Sequence, residues 1–180
     1  MSTDYAVREG YSALAKLLHW TVAASVLFMI PAGVIMKRIG PSDLQNTLYN
    51  LHRSFGALVL VLMVLRLAYR LAHGAPAPEP TLNAFQRIVA AAVHHLLYVL
   101  LLVQPVMGWA ATSAYGAPII IFGAFRLPDF LAKDAALSKQ LFAAHDLIGY
   151  ALAALIAVHI GAALYHYVIR RDGVLQRMLP

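Results

Sequence analysis

Eight histidines stand in 180 residues, and two of them are spaced in a way that invites chemistry. The stretch from His145 to Tyr167 reads HDLIGYALAALIAVHIGAALYHY, and Leu147 to Val158 carries no charge. His145 opens it and His159 follows fourteen positions later. An α-helix turns about 100° and rises about 1.5 Å per residue, so both imidazoles share one face about 21 Å apart. That distance is most of the roughly 30 Å apolar core of a bilayer. An imidazole inside a membrane span is costly without a partner, which makes a functional role the default reading. Two of them at opposite depths on one face predict two metal-bearing cofactors, one above the other. Imidazole also suits Zn, Cu and Ni. Bare metal sites inside lipid without carboxylates or thiols are disfavoured, so the reading is two haems, each needing a second histidine from another helix.

The elements that must position these groups follow from composition. The chain is 61% hydrophobic and 12% charged, with mean hydropathy +0.70. Soluble domains carry about 25% charged residues. The expected fold is all-α: an integral membrane four-helix bundle, up-down-up-down, forming one domain over residues 1–180. The expected spans are roughly 17–36, 51–71, 88–113 and 145–169. Between the third and fourth, residues 116–140 open with PIIIFG, too short to span, and read as a lid lying in the interface. The loop of residues 39–50 holds Gly40, Pro41, Ser42 and Asp43, a turn that can cap a short surface helix. The second connector, HGAPAPEP, is too rich in proline for helix interior, and His73 reads as a solvated loop residue.

There is no cysteine. Disulfides, Cys-ligated iron–sulfur clusters and thioether-attached haem are excluded, so any haem is non-covalent. The net charge of +6 sits in loops and points to lipid headgroups rather than nucleic acid. The N-terminus shows no cleavage-site pattern, so no removed signal peptide is expected. Eight Lys and Arg (Arg8, Lys16, Arg66, Arg70, Arg87, Arg170, Arg171, Arg177) fall on the side of the termini. Six (Lys37, Arg38, Arg53, Arg126, Lys133, Lys139) fall on the other side. The excess favours both termini cytoplasmic.

Depth then sorts the histidines. His52 and His145 each start an outward-to-inward span and pair at the outer side. His19, early in the first span, pairs with His159 at the cytoplasmic side. Reversing the topology swaps the sides and keeps the pairs. A second criterion agrees. A haem lying along a helix needs a small residue one turn from its ligand. Gly56 follows His52, Gly149 follows His145, Ala23 follows His19 and Ala163 follows His159, each by four. His94, His95 and His166 are followed by Tyr98, Val99 and Arg170, and read as hydrogen-bonding groups between helices or near headgroups.

These blocks resemble the bacterial cytochrome b561 family, small four-span dihaem proteins of the inner membrane. The resemblance covers about Tyr11 to Pro180. It rests on LHW (Leu18 to Trp20), LHRSFG, the H-x-x-x-Y and PVMG blocks of the third span, GAPIIIFG, AHDLIGY, VHIGAALYH and RDGVLQRMLP. It implies two b haems, each with bis-His ligation, with His19, His52, His145 and His159 as iron ligands. It also implies superoxide:ubiquinone oxidoreduction, in which superoxide is oxidised at the outer side and ubiquinone is reduced. Such a role needs a positive funnel for a small anion, for which Arg126, Lys133 and Arg53 are the candidates. Asp43, Asp129, Asp134 and Asp146 oppose it. Arg53, beside His52, can also pair with a haem propionate. His166 matches a family position associated with the quinone, and His94, His95 and Tyr98 lie at similar depth. The alternatives are a haem-b electron-transfer subunit serving a partner dehydrogenase or hydrogenase, and a haem-free channel or transporter. Intramembrane carboxylates are lacking, which argues against a proton-coupled transporter.

Overall fold

A computed structural model describes residues 10–180 of the chain. Arg8, counted above on the side of the termini, lies outside them. Four long helices form the bundle: α1 (Ala13–Arg38), α2 (Asp43–His73), α3 (Ala84–Tyr115) and α4 (Ala135–Tyr165). All four are long and apolar enough to cross a membrane. A π-helical turn, His166–Arg170, continues α4.

Each helix extends beyond the span expected from hydropathy, because its start is set by a capping side chain further out. Ser12, Ser42, Asn83 and Asp134 accept hydrogen bonds from the first free N–H groups of α1, α2, α3 and α4. Asn83 and Gln86 form a reciprocal capping box. Residues 43–50, expected as loop with a short surface helix, are instead the first two turns of α2. His73, expected in a loop, is the last residue of α2 and is exposed there.

Consecutive helices pack as neighbours, α1 on α2, α2 on α3 and α3 on α4. The core is thin: Val22 and Val26 of α1 meet Val59 and Met63 of α2, with Tyr98, Leu101 and Ile156 around them. Leu27, Val61, Val64, Val99, Leu147 and Val158 face outward, as lipid-facing residues do.

The connection between α3 and α4 is partly ordered as a hairpin. Strand β1 (Ile119–Ile121) pairs antiparallel with β2 (Phe125–Leu127), Ile121 opposite Phe125. Two buried serines pin this connection. Ser54 Oγ accepts from Phe122 N at 2.9 Å and donates to the Asn50 carbonyl at 2.8 Å. Ser113 Oγ accepts from Phe130 N and Leu131 N at 3.0 and 2.9 Å. The hairpin turns through Phe122 and Gly123, both at positive φ (47° and 73°). The hydroxyl of Ser54 thus holds a conformation that a phenylalanine avoids by itself. The last residues of the expected lid, 135–140, belong to α4.

The opposite end of the bundle gathers both ends of the described chain. Tyr11 N donates to Arg177 O at 3.1 Å, and Trp20 Nε1 donates to Met178 O at 2.8 Å. These two ends are called the hairpin end and the terminal end below.

Candidate cofactor-binding sites

At the hairpin end α2 and α4 bring His52 and His145 together, with ring centroids 6.1 Å apart and planes at 79°. His145 is fixed from α3. Its Nδ1 lies 3.1 Å from the Gln104 carbonyl, to which it donates, and Gln104 Nε2 returns a bond to the His145 carbonyl at 2.8 Å. The proton on Nδ1 leaves Nε2 with its lone pair free for a metal. His52 Nδ1 and Gln104 Oε1 are buried without a hydrogen-bond partner.

Both rings line a cavity of about 840 Å³, within the range of cofactor-sized sites, about 300–1,000 Å³. Its walls include Gly33, Gly56, Gly108 and Gly149, together with Arg38 and Arg53. A Cβ on Gly33 would stand 3.1 Å from His52 Cε1, and one on Gly108 would stand 2.9 Å from His145 Cε1. These two glycines let the imidazoles lie against neighbouring helices. Sequence reasoning found Gly56 and Gly149, which share a helix with the histidines. It missed Gly33, Gly108 and Gln104, because spacing along one helix carries no information about its neighbours.

At the terminal end α1 and α4 bring His19 and His159 together, centroids 6.2 Å apart and planes at 67°. His94 of α3 joins them, 5.3 Å from His159. A smaller cavity of about 240 Å³ at the same end is lined by Leu18, Arg66, Tyr69, Arg70, His73 and Tyr98, and none of His19, His94 and His159 lines it. The His73 ring stacks on Tyr69 at 4.1 Å, and its Nδ1 lies 3.1 Å from the Tyr69 carbonyl.

His166 lines neither cavity. Its Nδ1 lies 2.7 Å from Asp172 Oδ2, which also accepts from Arg170 Nε at 3.0 Å. Arg170 Nη2 ties this group to Thr81, donating to its carbonyl at 3.1 Å. Burial raises the Asp172 pKa, but hydrogen bonds from His166, Arg170 and Val174 N outweigh it and hold the carboxyl below its ordinary range.

The expected funnel residues separate. Arg53 lines the large cavity, its guanidinium 5.5 Å above the Tyr49 ring. Arg126 and Lys133 do not line it. Arg126 Nη2 donates to Asp129 Oδ2 at 2.6 Å, and the stem of Lys133 packs over Gly116. Lys37 lines the cavity but pairs with Asp146.

A profile of prokaryotic cytochrome b561 matches residues 10–180. The chain belongs to that family. Relatives agree along nearly the whole length. Cytochrome b561 homolog 2 of Escherichia coli K12 is 31% identical over 172 residues, 95% of this chain and 92% of the relative. Cytochrome b561 homolog 1 of the same organism is 32% identical over 177 residues, 94% and 97%. The probable superoxide oxidase CybB of Yersinia pestis is 28% identical over 174 residues, 97% and 98%. As a cytochrome b561 family member, the chain is a bacterial membrane electron-transfer protein whose family cofactor is b-type haem.

The residues present fit that group. An imidazole nitrogen binds a transition metal at about 2.0–2.1 Å. With ring radii of roughly 1.1 Å, two imidazoles across one ion have centroids about 6.3 Å apart. The pairs here stand at 6.1 and 6.2 Å. At the hairpin end, the large cavity that both rings line adds to the fit.

Proposed function

We propose that this cytochrome oxidises superoxide at the hairpin end, on the outer face of the membrane, and reduces ubiquinone at the terminal end, on the cytoplasmic face. Two superoxide ions, one ubiquinone and two protons give two dioxygen molecules and one ubiquinol. The observation that carries the reading is the pair of imidazole couples at opposite ends of one bundle, the one at the hairpin end lining a cavity that Arg38 and Arg53 also line. His52 and His145 would hold one haem, and His19 and His159 a second. Haem b held there would supply one-electron chemistry.

The protein's own groups do the rest. Gln104 locks His145 in the tautomer that presents Nε2. Arg38 and Arg53 give the large cavity a positive wall that raises the local concentration of a small anion. The lipid-facing helices admit an apolar quinone from the membrane. His166, held through Nδ1 by Asp172, is a proton-capable group at the end where the quinone needs two protons.

The test is stopped-flow on the oxidised protein in detergent, with a superoxide pulse followed at the haem absorbance. The expected result is rapid reduction, then reoxidation on adding a short-chain ubiquinone. A haem that dithionite reduces and superoxide does not would assign the chain to electron transfer from a partner redox subunit instead.

A further inference from the structure

The smaller cavity at the terminal end has the chemistry of an anion site of its own. Arg66 and Arg70, one turn apart on α2, both line it, with Tyr11, Ser12, Tyr69 and His73 beside them. No carboxylate lines it among the described residues. Neither arginine forms an ion pair with a described residue. Two permanent positive charges and several hydroxyls therefore share one small space.

The donors are held in place. Arg66 Nη1 donates to the Ala15 carbonyl at 2.9 Å, one of the five N–H groups of its fork. Its guanidinium carbon stands 5.8 Å over the Tyr98 ring. Tyr69 Oη is hydrogen-bonded to Ser12 Oγ at 2.9 Å, which ties the start of α1 to the last turn of α2.

Size and depth select the occupant. At about 240 Å³ the cavity falls below the roughly 300 Å³ at which cofactor-sized sites begin, so it suits a single small group. Guanidinium forks bind the oxygens of a phosphate in bidentate fashion. The 31 residues of α2 make about 46 Å of helix, close to the roughly 40–45 Å of a bilayer with its headgroup layers. The last turn of α2, with Arg70, therefore lies at headgroup level, and Arg66 lies one turn deeper. Leu14, Leu17 and Leu65, each next in sequence to a lining residue, are exposed, as residues beside acyl chains are. Basic pockets between membrane helices are sites where anionic lipid headgroups bind.

We infer that this cavity binds a phosphate group, held by Arg66 and Arg70, and that its source is the phosphodiester of an anionic phospholipid. Free phosphate shares the chemistry but has no use for the depth or for the exposed leucines. The site stands apart from the redox reading above and does not depend on it.

The experiment uses the purified, delipidated full chain with its cofactors in detergent. Native mass spectrometry follows titration with dioleoylphosphatidylglycerol and, separately, dioleoylphosphatidylcholine. Calorimetry follows titration with inorganic phosphate. One saturable phosphatidylglycerol site is expected, with phosphatidylcholine weaker because its own ammonium balances its phosphate. Arg70→Gln should weaken phosphatidylglycerol binding about tenfold, and Arg70→Lys should weaken it less. Ala15→Phe keeps both charges but fills the cavity, and should abolish the site. Lys139→Gln, an equal charge change at the hairpin end, should leave it intact. Inorganic phosphate that binds in an Arg70-dependent way and displaces the lipid would support the phosphate chemistry and move its source to solution. Unchanged binding of both probes in Arg70→Gln and Ala15→Phe would overturn the site. An equal loss in Lys139→Gln would overturn it too, as attraction to net charge alone. Haem released by Arg70→Gln at unchanged lipid affinity would also overturn it.

Discussion

Single atoms decide how tightly the imidazoles at the hairpin end are held. A Cβ at position 108 would stand 2.9 Å from His145 Cε1, closer than side chains tolerate, with Gln104 fixing the ring behind it. Gly108→Val should therefore displace His145 and empty the large cavity, lowering haem content by about half while the bundle stays folded. Haem-to-protein ratio and circular dichroism together check this. Asp172 sets a second residue-scale prediction. Its carboxyl is held below its ordinary pKa, so the stability it contributes is present above the unfolded value, about 3.9, and is lost as pH falls through the lower folded value. Asp172→Asn should loosen the C-terminal tail by roughly 1–3 kcal/mol at pH 7. The difference from the unsubstituted protein should shrink below pH 4, read from thermal unfolding across pH.

At the scale of elements, much of the architecture was legible before the structure. Four apolar runs gave four helices, because backbone in lipid must bond to itself and helices do so within one segment. Depth along those runs grouped His52 with His145 and His19 with His159, and the rings lie together in those couples. The helix ends were not legible. Hydropathy marks where lipid contact ends, whereas Ser12, Ser42, Asn83 and Asp134 mark where the helix begins. The hairpin within the expected lid was also hidden, since Ser54 pins it from 68 positions away in the sequence. Ser54→Ala leaves Phe122 N without its partner, at a local cost of about 1–3 kcal/mol. Faster amide exchange confined to residues 119–127, in hydrogen-exchange mass spectrometry, is the expected outcome.

At the scale of the whole molecule, the bundle is thin-walled, faces lipid on most sides and places one imidazole couple near each end. Charge is distributed to match. The cations at the hairpin end differ in use, because Arg126 is tied to Asp129 and does not line the cavity, whereas Arg53 lines it and is not tied to an acid among the described residues. Arg53→Gln should slow superoxide-driven reduction roughly three- to tenfold at low salt, while Arg126→Gln changes it less than twofold. Rates at low and high ionic strength separate the two.

The central claim is that two histidine couples hold two haems at opposite ends of one bundle. Redox-resolved haem spectra of His19→Ala, His52→Ala, His145→Ala and His159→Ala test it most directly. His52→Ala and His145→Ala should lose the same haem, and His19→Ala and His159→Ala the other, each variant retaining one. Any of these variants keeping both haems bound, or the losses grouping in another way, would contradict it.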